Sequence, residues 1–82
     1  MKYPAEHRTW VRNNPIKQAR RMAGLHSNDL ANTVGVRDCT FRRWECGMRR
    51  PTLEHLEQTA RALGIEPTTL VKEYEIWRAL RP

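Results

Sequence analysis

Glycines at positions 24, 35, 47 and 64 each close a stretch in which apolar residues recur at helical spacing. Stops this close together leave room only for short helices, and nothing between them alternates as a strand would. The segment from Gly35 to Gly47 is the one the others are arranged to serve. Phe41 and Trp44 stand three apart and share one helical face suited to a core. Asp38, Cys39, Arg42 and Arg43 fall largely off that face and stay in solvent. A helix over 37–46 that buries two aromatics and displays two arginines has the form of a nucleic-acid reader.

The charge distribution agrees with that form. The formal net charge of the 82 residues is +6, and it is unevenly placed. Residues 1–50 carry eleven Lys/Arg against four Asp/Glu, whereas residues 51–82 carry four against five. Such a split suits a polyanion approached by one side of the molecule. Arg37, Arg42, Arg43, Arg49 and Arg50 crowd the middle of the chain, flanking one helix and the loop beyond it. A guanidinium offers five donors in a planar fork that matches phosphate or the O6/N7 edge of guanine.

Other chemistries find little support. Cys39 and Cys46 are seven apart on one expected helix, roughly 10 Å along its axis, too far for a disulfide. With His7, His26 and His55 scattered, the two match no zinc pattern and are expected to be free thiols in a reducing compartment. There is no Gly-rich phosphate loop and no nucleophile–base arrangement, so an enzyme is not expected, nor a cofactor, metal or small-molecule ligand. No apolar run approaches the ~20 residues of a membrane span, and a cytoplasmic protein is expected.

Taken in order, residues 1–13 read as an N-terminal arm. Pro4 can start a helical turn through Trp10, with Tyr3, Trp10 and Val11 covering an edge of the domain; alternatively Lys2, Arg8 and Arg12 follow a nucleic-acid backbone. The domain proper spans 14–82. Asn14-Pro15 combines a favoured N-cap with a proline at the first helical position. Ile16, Ala19, Met22 and Ala23 then form the apolar side, with Lys17 and Arg21 outward. Gly24-Leu25 ends this helix with an apolar plug. Ser27 or His26 caps the next, in which Asp29 complements the helix dipole and Leu30, Ala31 and Val34 are buried. A short helix, a glycine turn and the 37–46 helix describe a helix-turn-helix. Thr52 is the expected N-cap of a fourth helix with Leu53, Leu56, Ala60 and Leu63 as its stripe. Gly64-Ile65 closes it, and Pro67 opens a fifth over 67–80 with Leu70, Val71, Tyr74, Trp77 and Leu80 inward and Ile76 alongside. The expected fold is all-α, a compact five-helix bundle.

Residues 16–70 resemble the phage-repressor, or XRE, type of helix-turn-helix, the family of the lambda and 434 repressors, Cro proteins and many plasmid regulators. The resemblance rests on Ile16-x3-Arg20, Gly24-Leu25, Asp29-Leu30-Ala31, Val34-Gly35-Val36 and Phe41-x-Arg43-Trp44-Glu45-x-Gly47. It continues through Arg50-Pro51-Thr52-Leu53, Leu56, Ala60-x2-Leu63-Gly64-Ile65 and Leu70. Two places depart from the pattern: His26-Ser27 stands where the family has Ser-Gln, and Asp38-Cys39 where it has small polar residues.

The resemblance implies a regulator, most simply a repressor, that binds duplex DNA as a homodimer on a palindromic operator. It puts Asp38, Cys39 and Arg43 at base edges, with Asp38 able to accept from cytosine N4; Arg42 is counted among the base readers, though it can equally reach a phosphate. Ser27, Asn28, Arg37, Thr40, Arg49 and Arg50 are then expected at phosphates. Arg20 and Glu45 are expected to pair with each other rather than read, since a carboxylate next to buried Trp44 is costly when unpaired. The alternative is a protein-interaction module of the same fold, an antitoxin or anti-repressor docking on a protein partner through its apolar last helix.

Overall fold

The computed structural model describes residues 4–82, and within them the chain forms six helices and no strand. These are α1 (Ala5–Arg12), α2 (Pro15–Met22), α3 (Ser27–Val34), α4 (Asp38–Glu45), α5 (Leu53–Leu63) and α6 (Pro67–Ala79). The five-helix expectation is corrected by α1: the segment read as an arm is a two-turn helix whose Trp10 is buried. Tyr3 and Lys2, assigned to that arm, lie outside the described residues.

Local signals account for most boundaries. The Asn14 side chain accepts from the backbone N–H groups of Ile16 and Lys17, and Thr52 Oγ1 accepts from that of His55. Four helices end in one pattern, glycine followed by an apolar residue. The N–H after each glycine returns to a carbonyl five residues back: Leu25 to Arg20, Val36 to Ala31, Met48 to Arg43 and Ile65 to Ala60. The glycine's own N–H bonds the carbonyl three residues back. This paired closure satisfies carbonyls that the helix end leaves open. At α3 no side-chain cap forms; His26 is the N-cap residue and Ser27 bonds elsewhere.

One core runs through the molecule, with Ile16, Leu30, Ala31, Phe41, Trp44, Leu56, Ala60, Leu70 and Tyr74 at its centre. Several expected core positions are exposed. Met22 is 88% exposed because, at about 100° per residue, it lies about 120° around α2 from Ile16. Ala23 follows at the helix end and is also exposed. The inward place one turn after Ile16 belongs to Arg20, which has a partner waiting. Leu53 opens α5, and its Cβ tilts toward the helix N-terminus, off the end of the core. Leu80 falls just past the end of α6 and is exposed, as is Ile76.

The sixth helix is fastened by a pair of tryptophans. The indoles of Trp10 and Trp77 stack with centroids 4.0 Å apart and planes within 2°. Each donates its Nε1–H to the other's backbone carbonyl at 2.7 Å. The arrangement buries two large rings without orphaning either polar tip. Arg81 lies over the Trp10 ring at 5.5 Å.

Candidate nucleic-acid interface

The turn between α3 and α4 is built by Gly35, whose φ of +85° is the left-handed conformation that closes α3. Val36 then tucks half-buried against the core, and the chain re-enters a helix at Asp38. The Asp38 carboxylate joins the two helices: Oδ1 accepts from Ser27 Oγ at 2.9 Å, and Oδ2 pairs with Arg42 Nε at 2.9 Å. The N-terminus of α3 and the first turn of α4 are thereby set in fixed relation.

From the inner side α4 is held at several points. Phe41 and Trp44 are buried, their rings 5.4 Å apart, and the His55 ring lies 5.1 Å from Trp44. Arg20 meets Glu45 with two points of its fork, Nε to Oε2 at 2.7 Å and Nη2 to Oε1 at 3.1 Å. Its third nitrogen, Nη1, donates to the Leu25 carbonyl. A carboxylate only 6% exposed is thus matched by a guanidinium that also closes the end of α2.

The Trp44 carbonyl, in the last turn of α4, accepts twice: from Asn14 Nδ2 and from the Tyr74 hydroxyl, each at 3.1 Å. Sequence reasoning assigned Asn14 only its capping role and Tyr74 only to the core. Both anchors depend on how α2 and α6 dock, for which there is no local pattern.

Burial raises the Tyr74 pKa above 10.0, an effect partly offset by the Arg78 guanidinium. The neutral phenol is therefore favoured in the folded protein. Its contribution to stability is complete below the ordinary tyrosine range and lost as pH rises above about 10 toward the folded value. Urea unfolding between pH 8 and 11 is expected to show a steeper alkaline loss for the native chain than for Tyr74→Phe. At pH 7 that variant should cost only about 1 kcal/mol, since Asn14 still serves the carbonyl. Parallel alkaline profiles for the two proteins would count against the assignment.

The outer side of α4 is open. Cys39, Arg42 and Arg43 are exposed, Asp38 and Thr40 half-buried. Among the described residues Arg37, Arg43 and Arg49 have no carboxylate partner, whereas Arg42 is tied to Asp38. Asn28 is exposed and Ser27 half-buried at the start of α3. Ser27 and Arg42 border a concavity whose inner wall is the Arg20–Glu45 pair. Arg49 and Arg50 are exposed beyond Gly47 but are not equivalent, because Arg50 Nη2 pairs with Glu75 Oε1 of α6. Both cysteines are free thiols. Among the described residues no cluster could hold a metal, and no helix is long and apolar enough to cross a membrane.

These elements follow the order and spacing of a known pattern. A helix-turn-helix family model matches residues 16–70, from the first inward residue of α2 to the first buried residue of α6. No curated protein and no solved structure matches the chain. With more than half of its length covered by the family model, and α3 and α4 forming the motif itself, the chain belongs to the XRE-type helix-turn-helix family of DNA-binding regulators, that of the lambda and 434 repressors and Cro.

Proposed function

We propose that the protein is a sequence-specific transcriptional repressor of phage or plasmid type that acts in the cytoplasm as a homodimer on a palindromic operator. In this reading α4 enters the major groove, and its open side reads bases through Cys39, Arg43, Asp38 and Arg42. Arg43 carries the reading. Its guanidinium is exposed, has no carboxylate partner among the described residues, and projects from a helix anchored on its other side. Asp38 uses one lone pair on each oxygen internally and retains others for a cytosine amino group. Ser27, Asn28, Arg37, Thr40 and Arg49 hold phosphates, and Arg50 joins them where a phosphate displaces Glu75.

Sites selected from random duplexes, followed by single-base variants at several salt concentrations, separate these roles. Arg43→Ala should erase preference at one position of each half-site, a discrimination of about 1–3 kcal/mol. Arg49→Ala should weaken all sequences alike and lower the slope of log affinity against log salt by about 0.9. Arg50→Ala should change the slope less, because its charge is already shared with Glu75. Uniform loss for Arg43→Ala, with preference intact everywhere, would demote Arg43 to a phosphate contact.

Dimerisation is assigned to α6. Ile76 of α6 and Leu80, the residue that caps its C-terminal end, are four apart and both exposed, and the helix's other side is filled by Leu70, Tyr74 and Trp77. Two copies joined there would read half-sites one helical turn, about 34 Å, apart or a multiple of it. Ile76→Asp with Leu80→Asp should yield a folded protein that binds a single half-site without cooperativity. A native chain that sediments as a monomer both free and on DNA would remove the dimer.

A further inference from the structure

Beside the end of α4, the helices α1 and α2 and the chain's C-terminal residues enclose a partly open cavity of about 490 Å³. Arg8 and Arg12 of α1, Lys17 and Arg21 of α2, and Arg81 all line it, and among the described residues no carboxylate side chain does. Among the described residues Arg12, Lys17, Arg21 and Arg81 are in no ion pair. Arg81 lies over the Trp10 ring. Like charges drawn around one hollow repel one another and raise the local potential, and an oxyanion placed there relieves the repulsion.

The cavity is not isolated from the helix-turn-helix. Val11, Lys17 and Cys46 line it and also line the concavity bordered by Ser27, Arg42 and the Arg20–Glu45 pair. The hollow therefore continues from the inner edge of the proposed DNA-binding face. Its volume exceeds that of one phosphate and falls in the range of small-ligand sites. Four of the five cations are arginines, whose forks suit two oxygens of a phosphate at once.

We propose that this hollow is a second anion site that takes linked phosphate groups. They come from the backbone of duplex flanking the operator, which rests on the DNA-binding reading, or from a free phosphorylated small molecule. It joins Lys17 and Arg21, inside the span matched by the family model, to Arg12 and Arg81, which lie outside it.

The test uses the full chain and the double variant Arg12→Gln/Arg21→Gln, which changes two exposed residues. A charge-matched control changes Arg61→Gln and Lys72→Gln, exposed on α5 and α6. Inorganic tripolyphosphate, titrated calorimetrically, should bind the native chain and the control alike and the double variant at least tenfold more weakly. The selected operator is then presented at two lengths, one ending at its edges and one extended by about one helical turn on each side. If DNA backbone is the source, the extension tightens binding of the native chain but not of the double variant. The salt slope on the long duplex should then fall by about 0.9 for each phosphate that is no longer neutralised. If a free phosphorylated molecule is the source, tripolyphosphate discriminates between the proteins while duplex length does not. The proposal is overturned if the double variant matches the control with tripolyphosphate and with both duplexes. Failure of the native chain to bind even the short duplex, with tripolyphosphate discrimination intact, would sink the DNA reading and leave the anion site standing.

Discussion

Glu45→Ala is expected to destabilise the protein by about 3–5 kcal/mol, because it strands the Arg20 guanidinium at the junction of α2 and α4. For a domain of this size that lowers the melting temperature by roughly 12 °C or more. The size follows from what remains. The Arg20 charge keeps only the Leu25 carbonyl as partner, and its side chain is 15% exposed. Replacing Arg20 and Glu45 together with apolar residues of similar volume should cost much less than either single loss, since no uncompensated charge is then buried. Base preference, measured below the transition, should survive in Glu45→Ala. A variant that melted like the native chain but selected a different operator would make Glu45 a reader instead of a support.

Gly47→Ala is expected to be comparably damaging for a reason a glycine turn alone would not predict. The residue has φ of +77°, which costs alanine about 1–2 kcal/mol by itself. Its added Cβ would also press on the Trp10 indole, 2.7 Å from Cζ3, and lie 3.2 Å from Cη2 of Trp77. Neither ring can retreat freely. They are stacked on each other, and each is hydrogen-bonded to the other's backbone. The methyl must therefore displace the stack that fastens α1 to α6, and removing a buried tryptophan outright costs about 3–5 kcal/mol.

A double-mutant cycle gives the decisive reading. In a Trp10→Ala background the clash with the Trp10 ring is absent and only the 3.2 Å approach to Trp77 remains, so Gly47→Ala should cost little beyond its backbone penalty, and the two changes should be strongly non-additive. Simple additivity in chemical denaturation would show that the tryptophan latch does not press on the end of α4. By contrast, Gly35→Ala has nothing within 4 Å of its Cβ and should cost the backbone penalty alone.

Much of this molecule is legible residue by residue because its signals are local. Asn14-Pro15 and Thr52 announce helix starts because a side-chain oxygen reaches an N–H two or three residues ahead, whatever lies across the core. The glycine–apolar pairs announce helix ends because their hydrogen bonds close within five residues. Phe41 and Trp44 are inward because three residues return to the same face. The pairing of Arg20 with Glu45 had no such local basis; its expectation rested on the ordered family resemblance.

What only the tertiary structure decided are the meetings between segments far apart in the chain. Trp10 finds Trp77 across 67 residues, and the Trp44 carbonyl gathers Asn14 and Tyr74 from opposite directions along the chain. Arg50 is drawn to Glu75, which separates it from Arg49, its neighbour in an otherwise uniform basic loop. Met22, three residues after Ala19 but about 120° around α2 from Ile16, lies in solvent, and Arg20 takes the inward position one turn after Ile16 to meet Glu45. Each of these depends on the angle and depth at which two helices dock. Helical period sets which residues share a face, while packing sets what that face meets, and the cations of the hollow come together only through packing.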